Sequence, residues 1–379
     1  MKILLVGEYS RLHNSLKEGL LALGHEVSIV GSGDDFKNYP ADFHFGATLF
    51  EKNLILKFIN KVTRKILFLD FEKIERAIRF YLLLPKLQSF DVVQLINSDA
   101  ISTYPLLEIK IFKKLFSQNK TAFLLICGEE TPIVEVLLKN NLKSSVLTPL
   151  FENPNLKPLY DFTFKYISKK HRKLYGFVSQ NCKAILTSDL DYKIPMEQTQ
   201  FDCFFIPNPI NVDKIAFIDN PIVDKINIFH GINHLSAIKK GNIYFEKALI
   251  VLKEKYKDRI EILVSRSLPY QEYINLYNKA HILLDQVYGY DQGYNALEAM
   301  AKGKVVFTGA ETEFENYYNL QEKVAINALP DVDYLVKELS FLIENPSAIT
   351  KIGKNARLFI EQEHHYIAIA EKYLNVWKG

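Results

Sequence analysis

Short apolar runs alternate with amphipathic stretches along the whole chain. The first run, Lys2–Gly7, predicts a buried strand, and leucines at helical spacing follow it up to Gly24, a typical residue just past a helix end. The run His25–Val30 predicts a second strand. A strand, a helix and a strand within about 30 residues favour a right-handed crossover between parallel strands.

The same alternation continues to about residue 205 and then starts again. Up to that point the chain predicts strands at Asp91–Ile96, Thr121–Cys127 and Lys183–Ser188 and a helix at Ile101–Phe116. Beyond it, the predicted elements are strands at Ile226–His230, Ile260–Val264, Ile282–Asp285 and Val305–Phe307, and helices at Asn242–Tyr256, Pro269–Lys279, Asn295–Lys302 and from Asp331 onward.

Two prolines separate these two series. Pro207 and Pro209 flank Asn208 and disfavour a helix or a central strand there, so we predict a hinge. The 379 residues also exceed the size at which one core usually stops growing. We therefore expect two Rossmann-like, doubly wound α/β domains, 1–205 and 206–379, facing across a cleft. The last helix is a candidate to pack back on the N-terminal domain.

Composition excludes several classes of protein. The three cysteines are too scattered for a disulfide framework or a structural zinc site. A net charge of +3 does not indicate a nucleic-acid partner. Lys2–Gly7 is too short for a signal peptide, and no apolar window of about 18 residues exists, so we expect a cytoplasmic protein without a membrane span.

One stretch carries an uneven share of the positive charge. Between Lys52 and Lys86, nine basic residues stand against three acidic ones, with aliphatic and aromatic residues between them. Basic, interleaved helices of this kind suit an anionic membrane surface, which would place the protein peripherally on the inner membrane face. A solvated outer face is the alternative.

The strongest chemical signal is the segment Tyr288–Phe307. A loop rich in glycine and tyrosine leads into a helix predicted to start at Asn295, a candidate N-cap. Free amides at that helix start can hold phosphate oxygens. Glu298 is expected in the first turn, where it can accept hydrogen bonds from vicinal hydroxyls such as those of a ribose.

This segment resembles family 4 of the retaining glycosyltransferases, which have the GT-B fold. The family carries two glutamates eight positions apart, the second in Glu-Ala-Met-Ala-x-Gly, and here Glu298 stands in Ala296-Leu297-Glu298-Ala-Met-Ala-Lys-Gly303. The family's first glutamate, which contacts the donor sugar, is replaced by Tyr290, with Asp291 beside it. The resemblance implies that these residues bind a nucleotide sugar.

A second match lies in His230–Gly241. In the family, an arginine and a lysine before a glycine clamp the donor diphosphate; the lysine is Lys240 here, and His234 stands at the arginine position. The same segment supplies three further candidates for donor binding, Gly231, Asn233 and Lys239. Lys240, helped by Lys239 or a protonated His234, would act as the electrostatic catalyst, with Glu298 on the ribose.

We expect neither a metal nor another cofactor, because the nucleotide sugar, UDP- or GDP-linked, is a co-substrate. The sequence Asp-x-Asp, typical of metal-dependent transferases, occurs at Asp189-Leu-Asp191 and Asp331-Val-Asp333, neither of which is beside the nucleotide-like motif. On the acceptor side, the candidates after predicted strands are Arg11, His13, Glu129 and Glu130.

The resemblance implies a retaining transfer of a sugar to a saccharide or lipid-linked acceptor, in surface polysaccharide or glycolipid synthesis, and the residues add the expectation that no metal is needed. Two alternatives stay open. One is a nucleotide-sugar epimerase of the same fold, and the other is a non-catalytic protein that binds a sugar nucleotide or a membrane.

Overall fold

The computed structural model describes residues 1–33, 39–222, 224–266 and 270–379. Within them the chain forms two α/β domains, each built on a parallel sheet. The strands are β1 (Lys2–Val6), β2 (Glu26–Gly31), β3 (Phe43–His44), β4 (Val92–Leu95), β5 (Thr121–Ile126), β6 (Ala184–Thr187), β7 (Cys203–Phe205), β8 (Ile226–Ile232), β9 (Ile260–Arg266), β10 (Ile282–Leu284), β11 (Val305–Thr308) and β12 (Ile326–Asn327).

Helices follow most of these strands along the chain. In chain order they are α1 (Leu12–Ala22), α2 (Thr48–Lys52), α3 (Leu54–Ile66), α4 (Phe71–Leu83), α5 (Pro105–Ser117), α6 (Thr131–Leu137), α7 (Thr148–Glu152), α8 (Asp161–Phe164), α9 (Lys169–Asn181), α10 (Leu190–Met196), α11 (Asn242–Tyr256), α12 (Tyr270–Lys279), α13 (Tyr294–Ala301), α14 (Thr312–Tyr317), α15 (Val332–Glu344), α16 (Pro346–Glu363) and α17 (Tyr366–Lys378).

The two sheets divide the chain at the predicted hinge. The first has the order β3-β2-β1-β4-β5-β6-β7 and the second the order β12-β11-β10-β8-β9, and every recorded pairing in both is parallel. Strand order reverses beside β1 in the first sheet and beside β8 in the second. In such doubly wound sheets ligands bind at the carboxyl ends near the reversal, so both sheets present a binding edge.

The last helix belongs structurally to the first sheet. Ile369, Tyr373 and Trp377 of α17 are buried in the N-terminal core. The helix crosses α1 at Gly19, where an added Cβ would clash with the Tyr366 carbonyl and lie 2.9 Å from the Ala370 Cβ. Trp377 also donates from its indole nitrogen to the Gln94 side chain of β4, at 3.3 Å. Burial on this scale is a large source of stability.

Some predicted boundaries were wrong for identifiable reasons. The helix expected at Ile101–Phe116 begins at Pro105, which has no amide hydrogen to contribute and therefore suits a first helical position. The amides of Ile101 and Thr103 instead donate to the buried Glu108 carboxylate, at 2.7 and 3.4 Å. Pro269, the predicted start of another helix, lies outside the described residues.

Candidate functional site

The predicted donor residues of β8 and the turn after it meet the loop after β10. Gly231 lies inside β8, and the exposed Asn233 and His234 open the turn that leads to Lys240. The Lys240 carbonyl accepts from the Val287 amide at 3.0 Å. The two segments that the sequence marked as donor-binding are therefore adjacent in space.

Lys240 points at the carboxyl ends of the C-terminal strands. Its ammonium lies 2.7 Å from Oδ1 of Asp285, the residue directly after β10, and its side chain is 34% exposed. The other carboxylate oxygen of Asp285 accepts from Thr308 at the end of β11, at 3.2 Å. The buried Asp285 thus holds a cation, still open to solvent, at the binding edge of the sheet. Sequence reasoning missed Asp285, although a carboxylate at the end of a buried apolar strand was a usable signal.

Gly241 makes this approach possible. Its φ is +67°, which residues with a Cβ rarely adopt, and an added Cβ would clash with Val287 and lie 2.9 Å from the Tyr288 ring. The next residue, Asn242, begins α11. A glycine is therefore required both for the turn and for its contact with the loop after β10.

Lys239 leaves the donor side and crosses the cleft. Its ammonium lies 2.6 Å from Oε1 of Glu129, which follows β5 in the N-terminal domain, and 2.8 Å from the Thr163 hydroxyl. Both charged side chains are largely buried. Lys239 is therefore an interdomain contact on the acceptor side rather than a partner of Lys240.

The helix that should hold phosphate starts one residue earlier than predicted. Gly293 is the N-cap of α13, and Asn295 sits inside the first turn, where its side-chain oxygen accepts from the Tyr273 hydroxyl at 3.0 Å. Glu298 consequently falls in the second turn. The prediction that Asn295 caps the helix and that Glu298 lies in its first turn was wrong, because the glycine, without a side chain, already supplies the extended N-cap backbone.

Two of the predicted donor residues cannot offer new contacts. The side chains of Ala296 and Leu297 are fully buried, and both backbone amides donate to the Gly293 carbonyl, at 2.9 and 3.1 Å. Glu298 is half-buried, and its carboxylate interacts electrostatically with Arg11 and with Tyr294. Burial is the main reason why the pKa of Tyr294 is raised well above its usual value. Glu298 therefore faces the loop after β1.

Tyr290 and Asp291 bind the other domain. The Tyr290 hydroxyl accepts from the Lys143 amide at 3.0 Å, and its own amide donates to Asp191 at 2.7 Å. Asp291 accepts from the Leu190 amide at 3.1 Å. Burial raises the pKa of Asp291 to about 6 and that of Asp191 to about 7.

These contacts correct one expectation from the sequence. Asp189-Leu-Asp191 is not remote from the nucleotide-like motif, because the hinge brings the start of α10 against the loop 288–293. Both aspartates also line the cleft, together with Glu129 and Tyr288. In the described ranges, no three His, Cys, Asp or Glu side chains are grouped so that they could hold a metal ion.

Of the four acceptor-side candidates, Arg11 and Glu129 are partly exposed to solvent, whereas His13 and Glu130 are fully buried. Arg11 holds a left-handed conformation, φ +73°, and binds Glu18 at 2.9 Å. His13 is fully buried, bonded to the Gly7 carbonyl at 2.7 Å and adjacent to Gln94, and burial lowers its pKa to about 4. It cannot face an acceptor.

Glu130 is fully buried as well. Its carboxylate accepts from the Ser98 amide and hydroxyl, both at 2.8 Å, and burial raises its pKa to about 7. It fixes the loop after β4. Of the four candidates, Arg11 is partly exposed and Glu129 lines the cleft.

Part of the chain is similar to a known protein family. Residues 233–375, which begin just after β8, match the model of a family described as glycosyl transferase-like. No curated protein sequence matches the chain.

Several solved structures share the architecture over most or all of the chain. Sucrose-phosphate synthase from Thermosynechococcus elongatus, at 13% identity, covers 100% of this chain and 98% of its own, with a TM-score of 0.60. HepE from Anabaena, solved with UDP and glucose, is 10% identical, covers 100% and 99%, and has a TM-score of 0.58. TarM from S. aureus, at 11% identity, covers 80% and 59%, with a TM-score of 0.51.

Identity this low shows the fold alone. The two parallel-sheet domains are those of the GT-B fold, as the sequence predicted. The family match and the fold together support glycosyltransferase activity.

Proposed function

We propose that the protein transfers a sugar from a nucleoside diphosphate donor to a saccharide or lipid-linked acceptor, by the retaining chemistry of glycosyltransferase family 4. The observation that carries this proposal is Lys240, a partly exposed ammonium held by Asp285 at the carboxyl ends of the C-terminal strands. Charge develops on a diphosphate as it leaves, and a fixed cation at that place stabilises the transition state.

The remaining donor contacts follow from the same edge. The Tyr294 and Asn295 amides at the start of α13 are the candidates to bind a phosphate, since the next two amides donate to the Gly293 carbonyl. Glu298 on the same helix, close to Arg11, is the candidate to bind a ribose. UDP is the first nucleotide to test, since HepE was solved with UDP. GDP is the second.

Glu129 is the candidate to orient the acceptor hydroxyl, because it lines the cleft and is bound by Lys239 from the other domain. We propose that no divalent metal is required, with Lys240 supplying the charge. The nearby Asp189 and Asp191 make this a point for experiment. Surface polysaccharide or glycolipid assembly is the pathway we propose.

The test is a transfer assay with UDP-glucose, UDP-N-acetylglucosamine, UDP-galactose and GDP-mannose, each with and without EDTA. Saccharides and a bacterial lipid extract serve as acceptors. We expect acceptor-dependent release of UDP or GDP that EDTA does not abolish, and an anomeric configuration preserved in the product. Isomerisation of the donor without acceptor would instead indicate an epimerase, and nucleotide binding without turnover a non-catalytic protein.

A further inference from the structure

Helix α3 has its apolar face turned away from the protein. Leu54, Ile55 and Phe58 are 82%, 72% and 67% exposed, and Ile59, Val62 and Ile66 are exposed as well. Positions 54, 55, 58, 59, 62 and 66 share one side of a helix at 3.6 residues per turn. A helix of a soluble domain normally buries such a face, so this one is inverted.

Polar side chains hold the inner side of α3. Asn60, the one residue of the helix that is fully buried, accepts from the Phe71 amide at 2.6 Å and donates to Asp70 at 3.3 Å, both at the start of α4. Thr63, half-buried, lies on the same side. The helix is thus fixed in place by hydrogen bonds, and its apolar face stays available.

The turn after α3 extends the same apolar surface. Leu67 is 65% exposed and Phe68 is 86% exposed, and Phe68 adopts a left-handed backbone, φ +53°. A large aromatic residue held at φ > 0 costs free energy, and the Phe68 side chain is left almost entirely in solvent. Leu54 to Phe68 will be called the α3 face.

The positive charge around the α3 face indicates what kind of surface it binds. Between Lys52 and Phe68 the chain carries five basic residues and no acidic one: Lys52, Lys57, Lys61, Arg64 and Lys65. A second copy of the chain would bring like charges together in a two-fold contact. Apolar residues flanked by lysines and arginines suit the headgroup and acyl boundary of an anionic bilayer.

We infer that the α3 face is a membrane-docking surface, which inserts Ile55, Phe58 and Phe68 among anionic lipids with α3 parallel to the bilayer. The turn is tied to the substrate edge of the N-terminal sheet, since the Asp70 amide donates to the Tyr104 hydroxyl at 2.6 Å and Thr103 donates to the Lys73 carbonyl at 2.6 Å. Docking therefore brings the acceptor side of the cleft to the lipid surface. Within the described residues no helix is long and apolar enough to cross a bilayer.

The test is flotation of the full chain with vesicles of phosphatidylcholine alone or with added phosphatidylglycerol, at low and high salt. The variant Ile55→Ser with Phe58→Ser removes apolar surface that supports no core. Its matched control, Ile250→Ser with Phe341→Ser, alters two residues of the C-terminal domain that are 62% and 52% exposed. We expect binding to anionic vesicles that salt weakens, that the first variant lowers at least tenfold, and that the control changes less than twofold.

Charge is tested by Lys57→Gln with Lys61→Gln, against Lys110→Gln with Lys114→Gln on the exposed side of α5. A basic residue near an anionic surface contributes about fivefold, so the first pair should lower binding roughly 25-fold and the second pair should not. Phe58→Trp should show a blue-shifted emission on anionic vesicles, against the constant background of the buried Trp377.

Three results would overturn the inference. The wild type could fail to float with anionic vesicles at low salt, or both apolar double variants could bind equally well. Sedimentation velocity could instead show a dimer that only Ile55→Ser with Phe58→Ser dissociates, which would assign the face to a second copy. These measurements use binding and not turnover, so their failure is separable from failure of the proposed transferase activity.

Discussion

Gly241 controls where Lys240 sits. The residue combines a left-handed backbone with close contact to Val287 and Tyr288, so a side chain of any size there must move either the lysine or the loop after β10. The pairing of a lysine with a glycine was visible in the sequence. The reason for the glycine was not, because it depends on a loop 46 positions further along the chain, at Val287.

The substitution Gly241→Ala should lower the free energy of unfolding by about 2–4 kcal/mol, since strain at positive φ and overpacking against Val287 both oppose it. It should also weaken UDP binding by displacing Lys240. Gly176→Ala is the matched control: it lies within α9 with nothing within 4 Å of an added Cβ, and should stabilise by about 0.5–1 kcal/mol. Urea denaturation of both variants measures the difference, and equal effects would refute our account of the turn.

His230 illustrates a residue whose sequence context suggested the site but whose side chain serves the core. It is fully buried in β8 against Phe245, and burial lowers its pKa from 6.5 to about 4, because the interior disfavours the imidazolium. At pH 5 the unfolded chain binds a proton at this residue that the folded chain does not.

Stability contributed by the neutral His230 is therefore complete above pH 6.5 and is lost as the pH falls toward 4. For one such histidine the loss between pH 8 and pH 5 is about 2 kcal/mol. His230→Leu, of similar volume, should reduce the acid loss of the whole protein by up to that amount. The measurement is the free energy of unfolding of the wild type and of His230→Leu at pH 8 and pH 5. If both proteins lose the same free energy between these pH values, His230 is protonated in the folded state at pH 5.

Helices show where local pattern succeeds and where it fails. The predicted bounds of α11 were confirmed to the residue, since apolar spacing and the glycine before it act locally. The start of α13 was misplaced because a glycine outcompeted Asn295 as N-cap. The orientation of α3 could not be predicted from the sequence. The sequence shows that the helix has an apolar face, but tertiary contacts decide whether that face points to the core or to solvent.

The helix α17 depends on the domain that begins the chain. Trp377→Ala should lower the free energy of unfolding by about 3–5 kcal/mol, because it empties a buried site beside Phe123 and leaves the Gln94 oxygen without its indole donor. Leu358→Ala, at an exposed position of α16, should change it by less than about 0.5 kcal/mol.

Hydrogen exchange adds a regional reading for Trp377→Ala. Amides of α1 and β4, which contact α17, should lose protection in the variant before those of β8 and β9. Loss confined to the C-terminal sheet would contradict the packing described here.

At the scale of the whole molecule, composition and alternation predicted two α/β domains of the GT-B fold, and the two parallel sheets confirm that fold. What the chain could not reveal was the set of contacts across the cleft, such as Lys239 with Glu129 and Tyr290 with Lys143. These join residues more than 100 positions apart, and only the relative placement of two independently folded sheets determines them. The sequence therefore predicted that His230–Gly241 and the loop after β10 lie together, but it did not predict which of their residues contact the other domain.

The central claim is a nucleoside diphosphate site built around Lys240. Its most direct test is the thermal unfolding of the wild type, Lys240→Ala and the control Lys247→Ala, an exposed lysine of α11, with UDP, GDP or ADP and without divalent metal. A nucleotide at about 100 times its dissociation constant should stabilise the wild type and the control by about 2.7 kcal/mol and Lys240→Ala far less. If none of the three nucleotides shifts the wild type, or if Lys240→Ala responds as the wild type does, the account is wrong.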